Sequence, residues 1–450
     1  MQDRNNFIRY SRPFPVAAAF GIALMLASAP AARAEDHSLT LRQVLDLAAR
    51  QNSDVLLARL DAQRAEQGIR IARDPFVPKV YAGSGLAYTY GFPSSIDGSA
   101  PSVVQVRSSM SLYNRPQSYQ LAESRENARG AHIDAQTKSD EVAYRAASSF
   151  LDAFELSKEV SVLEEAESSL VKVAETMEAR VQEGAELPVE GKRAKVNLAA
   201  TRQHLEAARA DLEAAEVEVA VVAGFPASDR VHAVESGKIN GPEFQSEQEC
   251  IDLAIKNHKE LQRLQSSVMA RQLELRAQSS QKLPQVSLVA QYELFAKFNN
   301  FQEYFTRFQR NNAELGISVV FPLLGGTAVK GLMDQAATDI ARLRLQIGDT
   351  RNQVTLNARR AFLELRKAES ARELAREQLE LARDDLSVLI SQMSEGRVPL
   401  SRVEQARVAE NDRWLAWYAA DTNLERARLA LLKDTGTLVA ALNAEPRSNP

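Results

Sequence analysis

Two kinds of hydrophobic spacing alternate along this chain. In four stretches, apolar side chains recur at every second position. In the first, Val80, Ala82, Leu86, Tyr88 and Tyr90 share one face, interrupted by Ser84, while Gly83, Gly85, Ala87 and Thr89 fall on the other. In the second, Val104, Val106, Met110 and Leu112 oppose Gln105, Arg107, Ser109 and Ser111. In the third, Val286, Leu288, Ala290, Tyr292 and Leu294 oppose Ser287, Gln291 and Glu293. In the fourth, Ala313, Leu315, Ile317, Val319 and Phe321 oppose Glu314, Gly316 and Ser318. Period two with one apolar face predicts one-sided β-strands over about 78–90, 103–113, 284–295 and 313–322. Their length suits a tilted membrane strand with lipid on one side and water on the other. A half-buried sheet in a soluble domain has the same pattern.

Elsewhere the spacing is helical. Leu332, Ala336, Ile340, Leu343 and Ile347 step by three or four, and Val354, Ala358, Ala361, Leu365 and Ala368 continue the stripe. That spacing makes a coiled-coil seam. Beyond Pro116, residues 117–183 hold no proline and only Gly130, and residues 328–395 hold no proline and only Gly331 and Gly348. At 1.5 Å per residue each run predicts a helix of roughly 100 Å. The helices that return, about 189–223 and 400–435, are half as long. Helices over about 53–74 and 259–282 supply the rest, so two shorter helices placed end to end complete an antiparallel pair with each long one.

The chain repeats itself. Asp46-Leu47-Ala48 returns as Asp252-Leu253-Ala254 and Val77-Pro78-Lys79-Val80 as Leu283-Pro284-Gln285-Val286, an offset of about 206. At an offset of about 212, Val142 matches Val354, Phe150-Leu151 matches Phe362-Leu363, Glu183-Gly184 matches Glu395-Gly396, and Ala194 and Gly224 match Ala406 and Gly436. Chance identities do not keep one offset through separated blocks, so a duplication is predicted. The chain divides into residues 1–34, a first repeat 35–245 with a helical tip near 184–190, and a second repeat 246–450 with a tip near 396–404. Residues 224–245, with Pro226, Gly237, Gly241 and Pro242, form the connector between repeats. The fold class is mainly α with a small β portion.

Four one-sided strands do not close. In hydrocarbon their edges would stay unpaired, so a membrane reading requires several chains, and three would give twelve strands, an even number in the observed range. The N-terminus bears on this point. Arg4, Arg9 and Arg12 precede an uncharged apolar run at 16–29, then Ala32-Arg33-Ala34 and Glu35. This is the layout of a signal peptide with an A-x-A cleavage site, a short membrane anchor being the other explanation. After residue 35 no uncharged run approaches the roughly 20 residues of a membrane helix.

Aromatics at 6% with abundant Ala, Leu, Glu and Arg favour long helices. A net charge of −4 provides no basic excess for nucleic acid. Cys250, the single cysteine, rules out an internal disulfide. His37, His132, His204, His232 and His258 are scattered without metal-ligand spacing. Phosphate-loop and nucleophile-elbow motifs are missing. Ser279-Ser280-Gln281-Lys282 contains an S-x-x-K string but ends a helix without partner motifs. No catalytic residue, cofactor site or metal site is predicted, and the chain is not expected to be an enzyme.

The duplicated order helix–helix–strand–strand–long helix–tip–helix resembles the TolC-type outer-membrane efflux protein family, the outer membrane factors. So do the opening Leu41…Leu45-Asp46-Leu47-Ala48, Pro78 and Pro284 at the strand entries, Phe321-Pro322-Leu323-Leu324-Gly325-Gly326 after the fourth strand, the two tips, and the closing Gly224 and Gly436. The resemblance covers about residues 38–442. It implies a homotrimer whose chains give four strands each to a twelve-stranded barrel in the outer membrane, with long antiparallel coiled-coil helices forming a tunnel across the periplasm. It implies a passive exit duct of a tripartite efflux or type I secretion system, for small molecules or proteins. A periplasmic adaptor (membrane fusion) protein and an inner-membrane pump would dock at the tips around Gly184 and Gly396.

Some members of that family narrow the tunnel with two aspartates in the second tip. Here Arg402 and Gln405 stand at those positions with Glu404 between them, and the first tip carries Glu190 and Arg193. These five residues are the candidate gate; solvated tip charge is the plainer explanation. A second departure is 295–308, with Phe295, Phe298, Phe301, Tyr304, Phe305 and Phe308, expected as an external loop, an aromatic girdle or a packed loop. The rival readings are a periplasmic adaptor, normally with one hairpin and more β-rich sequence, and a soluble coiled-coil scaffold.

Overall fold

The computed structural model describes residues 35–86, 101–234, 244, 246–297, 306, 309–323 and 327–443. The expected signal peptide at 1–34, the outer part of the first strand beyond Leu86, Gly237, Gly241 and Pro242 of the connector, Leu324 to Gly326, and most of the aromatic stretch lie outside the described residues.

In the first half the order is β1 (Asp36–Leu39), α1 (Leu41–Gln51), α2 (Ser53–Arg73), β2 (Lys79–Gly85), β3 (Ser102–Tyr113), α3 (Arg115–Gln182) and α4 (Pro188–Ala223). The second half repeats it as β4 (Arg230–Ala233), α5 (Glu247–Asn257), α6 (Lys259–Ser279), β5 (Gln285–Phe295), β6 (Asn311–Val320), α7 (Ala328–Ser394) and α8 (Leu400–Asp434), followed by α9 (Leu438–Asn443). The stretch expected as a plain connector thus contains β4. It pairs in parallel with β1, Asp36 opposite Arg230 and Leu39 opposite Ala233. Four residues are too few to display a period.

Local chemistry sets the boundaries. Asn114 caps α3, its side-chain oxygen accepting from the Gln117 N–H at 3.2 Å. Pro116 follows in the first turn, where no helical hydrogen bond is lost. Asn52 breaks α1 from α2: its oxygen accepts from Asp54 N–H at 2.9 Å, and its Nδ2 donates to the Val222 carbonyl at 2.9 Å. The same side chain therefore starts α2 and fastens the end of α4. In the second half Asn257 Nδ2 donates to the Thr435 carbonyl at 3.1 Å.

The long helices α3 and α7 contain 68 and 67 residues. α3 packs along α2 and then α4 of its own half, and along α6 and α8 of the other; α7 packs along α6, α5 and α8. The largest core lies at mid-length, where Val44, Ala48, Val142, Phe150, Val219 and Leu429 meet. The second half has a smaller counterpart of Cys250, Ala254, Val354, Ala358 and Leu431. Burial pushes the Cys250 thiol up to about 11, with Asp434, Glu247 and Glu249 adding to the effect, so it packs as a small inert side chain. The remaining strands form one antiparallel sheet in the order β2-β3-β5-β6.

Candidate functional site

The sheet has two chemically distinct faces, and its register fixes them. Along β3 and β5, Gln105 stands opposite Glu293, Arg107 opposite Gln291 and Ser111 opposite Ser287. Gln291 in turn faces Glu314, and Ser287 faces Ser318. These side chains share one face, because alternate residues of a strand point the same way. Gln105 Nε2 donates to Glu293 Oε1 at 2.8 Å, and Gln291 reaches the same oxygen. The opposite face carries Val104, Val106, Leu288, Tyr292, Leu315 and Ile317, and much of it is exposed in the single chain. Apolar residues left in contact with solvent on a whole sheet face need another covering medium. No described helix is long and apolar enough to cross a membrane. Among the described residues no cluster of His, Cys, Asp or Glu is arranged to hold a metal.

At the far end of the helices each half makes a glycine turn. Gly184 has φ 73° and Gly396 φ 72°. At the first tip Ala185 N–H donates to Arg180 O at 2.8 Å, and at the second Arg397 N–H donates to Gln392 O at 2.9 Å. This is the left-handed helix stop that glycine adopts at least cost. The first tip also exposes Leu187 and Val189.

The five candidate gate residues occupy different environments. Arg193 Nη1 donates to Glu190 Oε1 at 2.6 Å, one turn apart on α4. Arg402 and Gln405 project from the exposed side of α8. Glu404 points inward and is buried, with Arg407 Nη1 at 3.8 Å, and the same Arg407 nitrogen donates to Ser169 Oγ of α3 at 2.7 Å. Within one chain, then, Glu190 pairs with Arg193 and Glu404 with Arg407, each along its own helix.

Burial raises the Glu404 carboxyl above its ordinary 4.5, and Arg407 only partly opposes this. The folded chain therefore holds this proton more tightly than the unfolded one, so ionisation removes stability as pH rises from 4.5 through the raised value. Glu404→Gln is expected to raise the thermal midpoint at pH 7, with a gain that shrinks toward pH 4. An equal gain at both pH values would mean that the carboxylate is not the cause.

Residues 44–224 match the family model described as outer membrane efflux protein. No curated protein matches the chain. Among solved structures, the Campylobacter jejuni CmeC outer membrane channel superposes with a TM-score of 0.71 at 14% identity, covering 88% of this chain and 86% of that one. The outer membrane protein VceC of Vibrio cholerae gives 0.71 at 13% identity over 88% and 96%. The open state of the Neisseria gonorrhoeae MtrE outer membrane channel gives 0.67 at 12% over 88% and 89%. At such identities the likeness carries the fold.

Proposed function

From the premise that this chain belongs to the outer membrane efflux protein family, placed in the cell outer membrane with its helices reaching into the periplasm, we propose that it is one protomer of a homotrimeric passive exit duct. The observation that carries this is the four-stranded sheet, apolar on one face and polar on the other, whose outer strands β2 and β6 each have one edge without a partner among the described residues. Open edges are not tolerated in hydrocarbon. Three copies supply twelve strands, with the apolar face toward outer-membrane lipid and Gln105, Arg107, Gln291 and Glu293 toward water.

In this reading the division at 35–245 and 246–450 is an ancient doubling that gives the trimer six near-equivalent units. The tips around Gly184 and Gly396, with Leu187 and Val189, meet a periplasmic adaptor (membrane fusion) protein. An inner-membrane pump supplies the energy, and the cargo is small molecules or proteins of a tripartite efflux or type I secretion system. The duct itself catalyses nothing. Arg402 and Gln405, projecting from the exposed side of α8, narrow the tunnel mouth together with the Glu190–Arg193 pair of the first tip. Arg407 anchors that segment to α3 through Ser169.

The test is native mass and conductance of the mature protein extracted from outer membranes in mild detergent. A trimer that forms a low-conductance pore, opened further by Arg402→Ala with Gln405→Ala, is expected. A single chain in the soluble periplasmic fraction would remove the duct. A trimer whose conductance ignores both substitutions would remove only the gate.

A further inference from the structure

We propose that removal of residues 1–34 creates a functional group: the new α-ammonium of Glu35 docks on the buried Asp229 carboxylate and locks β1 onto β4, so that this clasp closes fully only in the processed chain. The lock goes beyond the duct proposed above and does not depend on how many copies assemble. It rests on cleavage after the Ala32-Arg33-Ala34 pattern.

Asp229 ends the turn ahead of β4, its N–H donating to the Pro226 carbonyl at 3.1 Å. It is 7% exposed. Burying a carboxylate costs free energy unless hydrogen bonds and an opposite charge compensate it. Among the described residues that compensation is thin. Oδ1 accepts from Ser228 Oγ at 3.0 Å and from the Glu35 N–H at a long 3.4 Å. Oδ2 has His37 Nε2 at 3.8 Å, beyond hydrogen-bond reach. That nitrogen is itself buried and makes no hydrogen bond among the described residues, and its ring is stacked on Phe225 at 4.4 Å. Imidazole brings a charge only when protonated. The neighbouring Arg230 is engaged by Glu213 of α4, and His232 by Glu216 at 2.6 Å. Two nitrogens thus converge on a carboxylate, and neither is a permanent cation.

Hydrolysis supplies a cation at one of those two atoms. Signal peptidase adds water across the Ala34–Glu35 peptide bond. The hydroxyl goes to the Ala34 carbonyl carbon, which leaves as a carboxylate. The Glu35 nitrogen takes the water's other hydrogen and the proton released by the new acid. An amide with one N–H becomes –NH3+ with three. An α-amino group ordinarily titrates at about 7.7–8.0, so it is charged at neutral pH. Hydrogen bonds from an ammonium to a carboxylate run about 2.7–2.9 Å. Freed from Ala34, the nitrogen has roughly half an ångström to close onto Oδ1.

The position gives this pair its leverage. Glu35 stands one step before the first β1–β4 pair, Asp36 opposite Arg230, and the Arg230 N–H donates to the Glu35 carbonyl at 3.1 Å. β4 is tied to α4 by Arg230 and His232. β1 has four residues and holds by its ladder to β4 and by Leu39, packed on the largest core. A terminal strand frays unless it is tied down, and the ammonium ties it at the end that frays. Val231, fully buried in that core, lies under the clasp. A precursor that keeps residues 1–34 has a neutral amide at this point and lacks the lock.

The exported full chain is extracted from outer membranes and acetylated while folded at pH 7, and its N-terminal peptide is read by mass spectrometry. A partner that raises the amine by one pKa unit leaves roughly ten-fold less of the reactive free base. A terminus at Glu35 that reacts about ten-fold slower than in the denatured chain is therefore expected, with the protection lost in Asp229→Asn. A Gly-Ser pair inserted after Ala34 keeps the cleavage pattern and Asp229 but moves the ammonium away. The insertion is expected to lower the thermal midpoint, and to cause no further loss on the Asp229→Asn background. Should Asp229→Asn not accumulate, the protection in the unaltered chain and the insertion by itself decide the matter. A terminus elsewhere, an unprotected amine at Glu35, or an insertion that costs nothing or costs the same on both backgrounds would overturn the lock. Native mass of the same samples reads the duct separately.

Discussion

Alanine in place of Gly224 is expected to lower stability by about 2–5 kcal/mol, the sum of a left-handed backbone penalty and a steric one. Gly224 has φ 98°, where a side chain costs roughly 1–2 kcal/mol by itself. A Cβ there would also lie 2.7 Å from Gln51 Cβ and 3.0 Å from the Gln51 carbonyl carbon. Neither neighbour is the free end of a flexible side chain, so backbone must move. The site is the point where α4 closes onto the α1–α2 break, two residues from Val222, which accepts the hydrogen bond from Asn52. Gly184→Ala is the control. It has nearly the same kind of backbone, φ 73°, with nothing within 4 Å of a new Cβ, so only the backbone penalty of roughly 1–2 kcal/mol applies. Thermal midpoints of the helical circular dichroism signal separate the two variants. Equal shifts would mean that the close approach to Gln51 yields freely.

The second large effect concerns which way the sheet faces. Ile317→Arg is expected to deplete the protein from the outer membrane, because an arginine on the lipid side of a barrel near mid-bilayer costs about 2–4 kcal/mol per site. In the proposed trimer three copies multiply that cost. Ser318→Arg, one position along the same strand, points to the polar face beside Ser287 and is expected to be tolerated. The check is the amount of trimer recovered from outer membranes for each variant. Equal recovery would mean that the apolar face packs on protein, as in a soluble sheet, and the barrel would have to be given up.

Much of this architecture was legible in the sequence because periodic elements announce themselves. The alternation from Val286 to Leu294 and from Ala313 to Phe321 set both the strands and their faces, and the registers keep those faces. The two runs free of proline became helices of 68 and 67 residues. What stayed hidden has physical reasons. β1 and β4 are four residues each and owe their existence to one another, so neither carries a pattern. Arg402, Glu404 and Gln405 look alike in the sequence as polar tip residues. Only the helical phase of α8 shows that Glu404 turns into the hairpin toward Arg407, while its neighbours turn out.

The exposed apolar stripe of α7, formed by Leu345, Leu356, Leu363, Leu374, Leu381 and Val388, bears on the life of the chain before it reaches its destination. From Leu345 to Val388 it runs roughly 65 Å at 1.5 Å per residue, and in the proposed trimer a copy that has not yet met its companions also leaves one edge each of β2 and β6 without a partner among the described residues. Until companions arrive, that strip and those edges are sticky toward any unfolded neighbour. Export faster than companions accumulate therefore sends material toward clumping or digestion, and a periplasmic holding chaperone becomes the natural remedy. The cell's yield of this protein is then governed by how briefly each copy stays alone.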